Sequence, residues 1–306
     1  ISVGEAMEKE IKVSVMCMAY NHADYIRDAL EGFVSQKTNF AFEVIIHDDA
    51  STDGTADIIR EYEEKYPEII KPIYQTENQY SKGVDIDHTL MFPLTRGKYL
   101  AFCEGDDCWV DEHKLQKQFD FLESHPECNI CTHRAVFADH GNGSCRVLPK
   151  QAMSRYYSTE ELIILGGLFF ATASVFARRE VYGDMPECFK SGFFGDWQIT
   201  LYGSIGGGCY CLQDAMAIYN NKRTGSYTEK NNKDRELRNQ INEDAVRMLE
   251  RIDEHYGFRY HEAIESRIRN YRYRICKYQG KTEELQREEY AEFRAVDRAA
   301  KMMKRA

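Results

Sequence analysis

One unit, met twice near the start of the chain, constrains the fold more than anything else in the sequence: an apolar strand, a polar turn and an amphipathic helix. "IKVSVMCMAY" (11–20) is rich in β-branched residues and runs into "NHAD", after which Ile26, Ala29, Leu30, Phe33 and Val34 fall on one helical stripe. "FEVIIHDD" (42–49) leads through "ASTDGT" into a helix with Ile58, Ile59 and Tyr62 on one side. The pattern continues with a strand at 69–74, a short helix near 86–92 and a strand "KYLAFC" at 98–103. Strands alternating with helices predict an α/β fold with a mostly parallel, Rossmann-like sheet and right-handed crossovers. Functional groups then collect at the carboxyl ends of the strands.

The second half is less regular. It reads as a helix at 112–124 with Leu115, Phe119 and Leu122 inward, a strand at 129–138, a turn at "DHGNGS" and a strand "ATASVFA" at 171–177. A helix follows from "GDWQITLYG" (195–203) and a last strand covers 208–219. Past about residue 230 the chain is charged, helix-forming and free of proline, which predicts two or three helices. The division is therefore a sheet domain over 1–228 and a C-terminal helical extension over 229–306.

Composition excludes several functions. Fifty Asp and Glu against 40 Lys and Arg give a net charge of -10, spread along the chain, so no nucleic-acid partner is expected. The longest weakly polar run, "GGLFFATASVFA", has 12 residues against the roughly 20 of a membrane helix. No signal peptide is recognisable, and the reading is a cytoplasmic protein. The ten cysteines lie mostly in apolar strands, as reduced thiols do. Cys128, Cys131 and His133 have the spacing of a zinc half-site, but no second ligand pair matches it, so they read as strand residues.

The chemistry concentrates at strand ends. "EGDD" (104–107) follows the fourth strand and "DDASTDGT" (48–55) the second, so both face one crevice. Taken alone, an acidic cluster is more often a helix-capping loop than a site. Hard oxygen ligands without a His or Cys pair suit Mg²⁺ or Mn²⁺, and such ions commonly accompany phosphate-bearing substrates. "GDWQ" (195–198) adds a carboxylate at a helix start beside an aromatic able to stack on a ring.

In that order, "AYNHADYIRDALEGFVSQ", "EVIIHDDASTDGT", "GKYLAFCEGDDCW" and "GDW" resemble the family 2 glycosyltransferases, inverting enzymes of GT-A fold, over roughly residues 11–225. The resemblance implies a nucleotide-diphosphate sugar donor, UDP first, and a saccharide or lipid-linked acceptor. It implies that Ala19, Tyr20, Asn21, Asp48 and Asp49 line the nucleotide, with Asp49 on the base. Glu104 and Gly105 would lie by the ribose or sugar, Asp106 would ligate Mn²⁺ or Mg²⁺, and Asp196 would be the catalytic base. Lys222 and Arg223 would close over the diphosphate. Three departures stand out: Glu104 where the family favours Asp, Gly195 in place of an acid, and "NQYSKGVDIDHT" (78–89) without the usual arginine, for which Lys82 is the substitute cation.

Two other functions remain open on the residues: a non-catalytic nucleotide-sugar sensor or scaffold, and a nucleotidyltransferase, although "AYNHADYI" is not the Gly-rich basic loop the latter uses. Arg178 and Arg179 read as a solvated pair at a strand–helix joint. The basic end, with Lys301, Met302, Met303, Lys304 and Arg305, has the pattern of a segment that touches an anionic inner membrane surface, although a docked or frayed terminal helix is the plainer reading.

Overall fold

The structure, a computed structural model, describes residues 10–167, 169–189, 195–221 and 234–303, the side chains of Asp196 and Met303 excepted. The two opening units form as the periodicity requires: β1 (Ile11–Ala19), α1 (Ile26–Val34), β2 (Ala41–Asp48) and α2 (Thr55–Lys65). β3 (Ile70–Tyr74) follows, then a segment of short turns that includes a single π-helical turn at Asp87–Met91, then β4 (Tyr99–Phe102). These strands lie in parallel in the order β3-β2-β1-β4.

Beyond β4 the sheet becomes mixed. The chain adds β5 (Cys108–Trp109), α3 (Lys114–Ser124), β6 (Ile130–Asp139), β7 (Ser144–Leu148), β8 (Arg155–Tyr157) and α4 (Thr159–Leu165). It continues with β9 (Phe176–Arg178), α5 (Arg179–Gly183), α6 (Gly195–Ser204) and the long β10 (Cys209–Asn221). The path runs on from β4 through β9, β6, β10 and β5. β9 is antiparallel to both β4 and β6, so β6 and the parallel β10 point the same way as β1. The expectation of a mostly parallel sheet therefore describes the first four strands, and the antiparallel insertions make the whole sheet mixed.

The strand expected over 171–177 is mainly a turn. Ser174 donates from both its amide, at 2.8 Å, and its hydroxyl, at 2.7 Å, to Ala171 O, leaving only Phe176–Arg178 in the sheet. Arg178 is not solvated. It is buried, and its guanidinium donates to Leu122 O, Cys128 O and the Tyr99 hydroxyl, closing the carboxyl end of α3.

The sheet separates two cores because its strands are buried on both faces. Val13, Val15, Cys17, Val44 and Ile46 face α1, α2 and α3 through Leu30, Phe33, Ile59 and Leu115. Met16, Ile45 and Leu100 point the other way. There they meet α4, α5 and α6 together with two helices of the C-terminal extension, α7 (Arg235–His255) and α8 (His261–Gln279), through Met248, Leu249, Ile252, Ile264 and Ile268. The last helix, α9 (Ala291–Met303), meets α8 through Phe293 and Tyr273. Among the described residues no helix is long and apolar enough to cross a membrane.

Candidate active-site crevice

The crevice lies at the carboxyl ends of β1, β2 and β4. Its floor is a set of turns bound to one another. After β1, Asn21 takes a left-handed φ of 53°, a conformation Asn tolerates better than most residues. Its side-chain oxygen accepts from Thr52 N at 2.8 Å, and its own amide donates to Ser51 Oγ at 2.9 Å. His22 N donates to Thr55 Oγ1 at 2.8 Å and Ala23 N to Asp53 Oδ2 at 2.9 Å. Ser51, Thr52, Asp53 and Thr55 of "DDASTDGT" thus bind the "NHAD" turn.

Asp48 and Asp49 end β2 in the same place but differ in surroundings. Asp49, 4% exposed, accepts from Gln79 N at 2.7 Å and Tyr80 N at 3.1 Å, while its amide donates to Ala19 O at 3.0 Å. Its carboxylate therefore holds the 79–80 backbone against the end of β1. Asp48 accepts from Ser51 N at 3.3 Å through Oδ2, and its buried Oδ1 has no partner. Behind them sits His47, fully buried, with both ring nitrogens unpartnered. Burial holds its pKa below the usual imidazole value despite the two neighbouring aspartates, so it is neutral. Sequence reasoning passed over it as a strand residue. Tyr20, 44% exposed, and Tyr80, 62% exposed, leave two aromatic rings near Asp49 open to solvent.

The acidic turn forms the adjoining wall. Cys103 N donates to Met16 O at 3.1 Å and Gly105 N to Met18 O at 2.8 Å, so the turn continues the β1 pairing past β4. A Cβ on Gly105 would stand 2.7 Å from Ile26 Cδ1 of α1 and 3.1 Å from Ala19 Cβ of β1, so a larger residue there would have to displace the Ile26 side chain. Glu104 is half-buried. The Asp106 carboxylate, 14% exposed, stands 3.8 Å from His22 Nε2.

Asp107, 1% exposed, turns inward, with Oδ1 accepting from Asn220 N at 2.9 Å and Oδ2 unpartnered. Burial, with the Glu104 charge adding to it, pushes its pKa well above the usual carboxylate range, against the pull of the Asn220 amide. Trp109 is a core anchor: its indole donates to Ala173 O at 3.0 Å and its ring packs edge-on against Phe33 at 4.9 Å.

Among the described residues no group of three His, Cys, Asp or Glu side chains could hold a metal ion alone. Asp106 with Glu104 offers the one or two carboxylates that Mg²⁺ or Mn²⁺ takes when substrate phosphates and water complete its shell, so the donor set fits such an ion.

Other expected site residues fall differently. Lys82 pairs with Glu77, and this bond holds the Glu77 carboxyl below the usual range. Asp196 lies in the first turn of α6, its side chain outside the described residues, as is all of Lys222 and Arg223. Trp197, expected as a stacking platform, is buried, its ring 6.2 Å from that of Tyr271 in α8. His133, read from the sequence as a strand residue, is one: it is fully buried in β6 beside the buried Thr132.

Comparison with known proteins follows the same lines. The glycosyl transferase family 2 profile matches residues 14–185, and the chain belongs to that family. An uncharacterised protein of Mycobacterium tuberculosis is 37% identical over 225 residues, 71% of this chain and 62% of its own length, so the present chain spans under two thirds of that relative. WfaP of Escherichia coli, a UDP-Glc:alpha-D-GlcNAc-diphosphoundecaprenol beta-1,3-glucosyltransferase, is 37% identical over 112 residues, 37% of this chain and 41% of its own. The mannosyltransferase PcManGT of Pyrobaculum calidifontis, solved with GDP-Man and Mn²⁺, superposes with a TM-score of 0.56 at 14% identity, covering 97% of this chain and 84% of its own. The fold is of the GT-A type.

Proposed function

We propose that the protein is a metal-dependent, inverting glycosyltransferase that moves a sugar from a nucleotide-diphosphate donor to an acceptor hydroxyl. One observation carries this reading: the turn bearing Glu104 and Asp106 is bonded to the end of β1 beside the turn bearing Asp48 and Asp49. Tyr20 and Asp49 line the nucleotide end of the crevice, and Asp106, with Glu104 beside it, holds Mn²⁺ or Mg²⁺ at the diphosphate end. The ion supplies Lewis-acid neutralisation of the charge that develops on the departing diphosphate. Asp196 takes the proton of the acceptor hydroxyl as its oxygen bonds to the anomeric carbon. The carbon–oxygen bond to the diphosphate breaks on the opposite face and its electron pair leaves with the phosphate, which inverts the centre. Lys82 and Arg223 are the cations assigned to the diphosphate.

The UDP-sugar and the lipid-linked diphosphate in the name of WfaP support UDP as the donor nucleotide and a saccharide or lipid-linked acceptor. The Mn²⁺ bound with GDP-Man in the mannosyltransferase supports the cation. The reading places the work on the cytoplasmic side, at the inner membrane surface, in building a cell-surface polysaccharide or glycolipid. Thermal denaturation against a panel of nucleotide-sugars, with Mn²⁺ and with EDTA, tests it. A donor at 100 times its Kd raises stability by about 2.7 kcal/mol. A stabilising nucleotide-sugar whose effect EDTA removes is the expected result, and no shift across the panel rejects the reading.

A further inference from the structure

The acidic turn is tied to a residue far along the chain. β5 follows it directly and pairs with β10, Cys108 opposite Ile218 and Trp109 opposite Ala217, which brings Asn220 against the turn itself. Asn220 then makes two bonds to consecutive aspartates: its amide N–H to Asp107 Oδ1 at 2.9 Å, and its side-chain Nδ2 to Asp106 O at 2.8 Å. A backbone carbonyl only accepts, so this second bond fixes which end of the Asn220 amide faces the turn. The other end, Oδ1, meets His140 Nε2 at 2.9 Å, and the His140 amide donates to Asn221 O at 3.1 Å. His140 thus holds the amide in the orientation that serves Asp106.

We infer that Asn220 is a positioning residue for the proposed donor site: it sets the backbone at Asp106 and Asp107, and so the direction in which the Asp106 carboxylate meets a divalent cation and diphosphate. The inference rests on the reading of that site given above. Asn220 touches no substrate, and its effect is on metal-dependent binding alone. A hydroxyl or methyl in its place cannot span to Asp106 O. Aspartate has the right shape but no N–H to give, and it sets a third carboxylate beside two others.

Calorimetric titration of UDP, GDP, ADP and CDP into the full chain, with and without Mn²⁺, separates the two components of affinity. Asn220→Ala is expected to keep metal-free affinity within about twofold of wild type. Its Mn²⁺-dependent gain should fall by about threefold to tenfold, the scale of one lost hydrogen bond. Asn220→Asp should lose more of the gain, and Asn221→Ala none. An unchanged gain in folded Asn220→Ala and Asn220→Asp overturns the inference, and Asn220→Ser carries the same test should either fail to fold. A wild-type chain whose nucleotide binding ignores Mn²⁺ overturns the site reading and the inference together, whereas a responsive wild type with variants that keep its full Mn²⁺-dependent gain rejects only the role of Asn220.

Discussion

Lys114 has no exposed surface, yet its ammonium has one hydrogen-bond acceptor, Gln118 Oε1 at 2.8 Å, and otherwise lies 4.0 Å from the centre of the Trp109 ring. Burial lowers its pKa to about 7. The unfolded chain, with an ordinary lysine near 10.5, binds the extra proton throughout that window. Stability should therefore rise with pH between about 7 and 10 by up to about 1.4 kcal/mol per pH unit, and level off below about 7, where both states hold the proton. Lys114→Met should flatten that slope in chemical denaturation at pH 7 and pH 9. An equal slope in both proteins removes Lys114 as its source. Asp106 raises a different question at the same scale, since it is the carboxylate assigned to the cation. Asp106→Asn should leave the melting temperature of the free protein within a few degrees and abolish the Mn²⁺-dependent stabilisation by nucleotide-sugar, because a neutral amide holds a hard cation poorly against water.

At the scale of elements, α1 and β5 meet with no room to spare. A Cβ on Gly32 would lie 2.7 Å from Trp109 O and 3.0 Å from Trp109 N, backbone atoms that cannot swing aside. Gly32→Ala should cost about 1 to 3 kcal/mol in urea denaturation, since the helix or the end of the acidic turn must shift. A cost below about 0.5 kcal/mol would mean the contact is softer than its geometry. The opening elements were legible because β1 and β2 are apolar on both faces and α1 carries an unbroken stripe, so period and boundary agree. β5 and β9 were not, having two and three residues, too few for a period to register; pairing with distant strands alone defines them. α4 left a signal that went unread, the Ser158 to Glu161 capping box in "STEE". The site divides in the same way. Three acids in "EGDD" are plain in the sequence, but nothing local distinguishes Asp107, which bonds a residue 113 positions on, from Asp106. Likewise only Asp48 and Asp49 of "DDASTDGT" were expected at the nucleotide, and nothing local shows that Ser51, Asp53 and Thr55 bind the turn after β1.

For the whole molecule, the composition boundary near residue 229 is not a boundary of the core. Met248, Leu249 and Ile252 of α7 and Ile264 and Ile268 of α8 are buried in the cluster that holds Met16 and Leu100 of the sheet. Each such side chain contributes about 1.5 to 3 kcal/mol by burial. A chain ending at residue 228 should accordingly lose cooperative unfolding and bind hydrophobic dyes, and a sharp thermal transition would show the sheet to be self-sufficient. In the proposed reaction, crevice, cation and base meet in turnover of the donor, with release of nucleoside diphosphate, and Asp196→Asn removes the assigned base while keeping its shape. The account predicts donor affinity with Mn²⁺ within a few-fold of wild type and release per folded molecule lower by at least about 10²-fold. Near-normal release from the asparagine variant would contradict it.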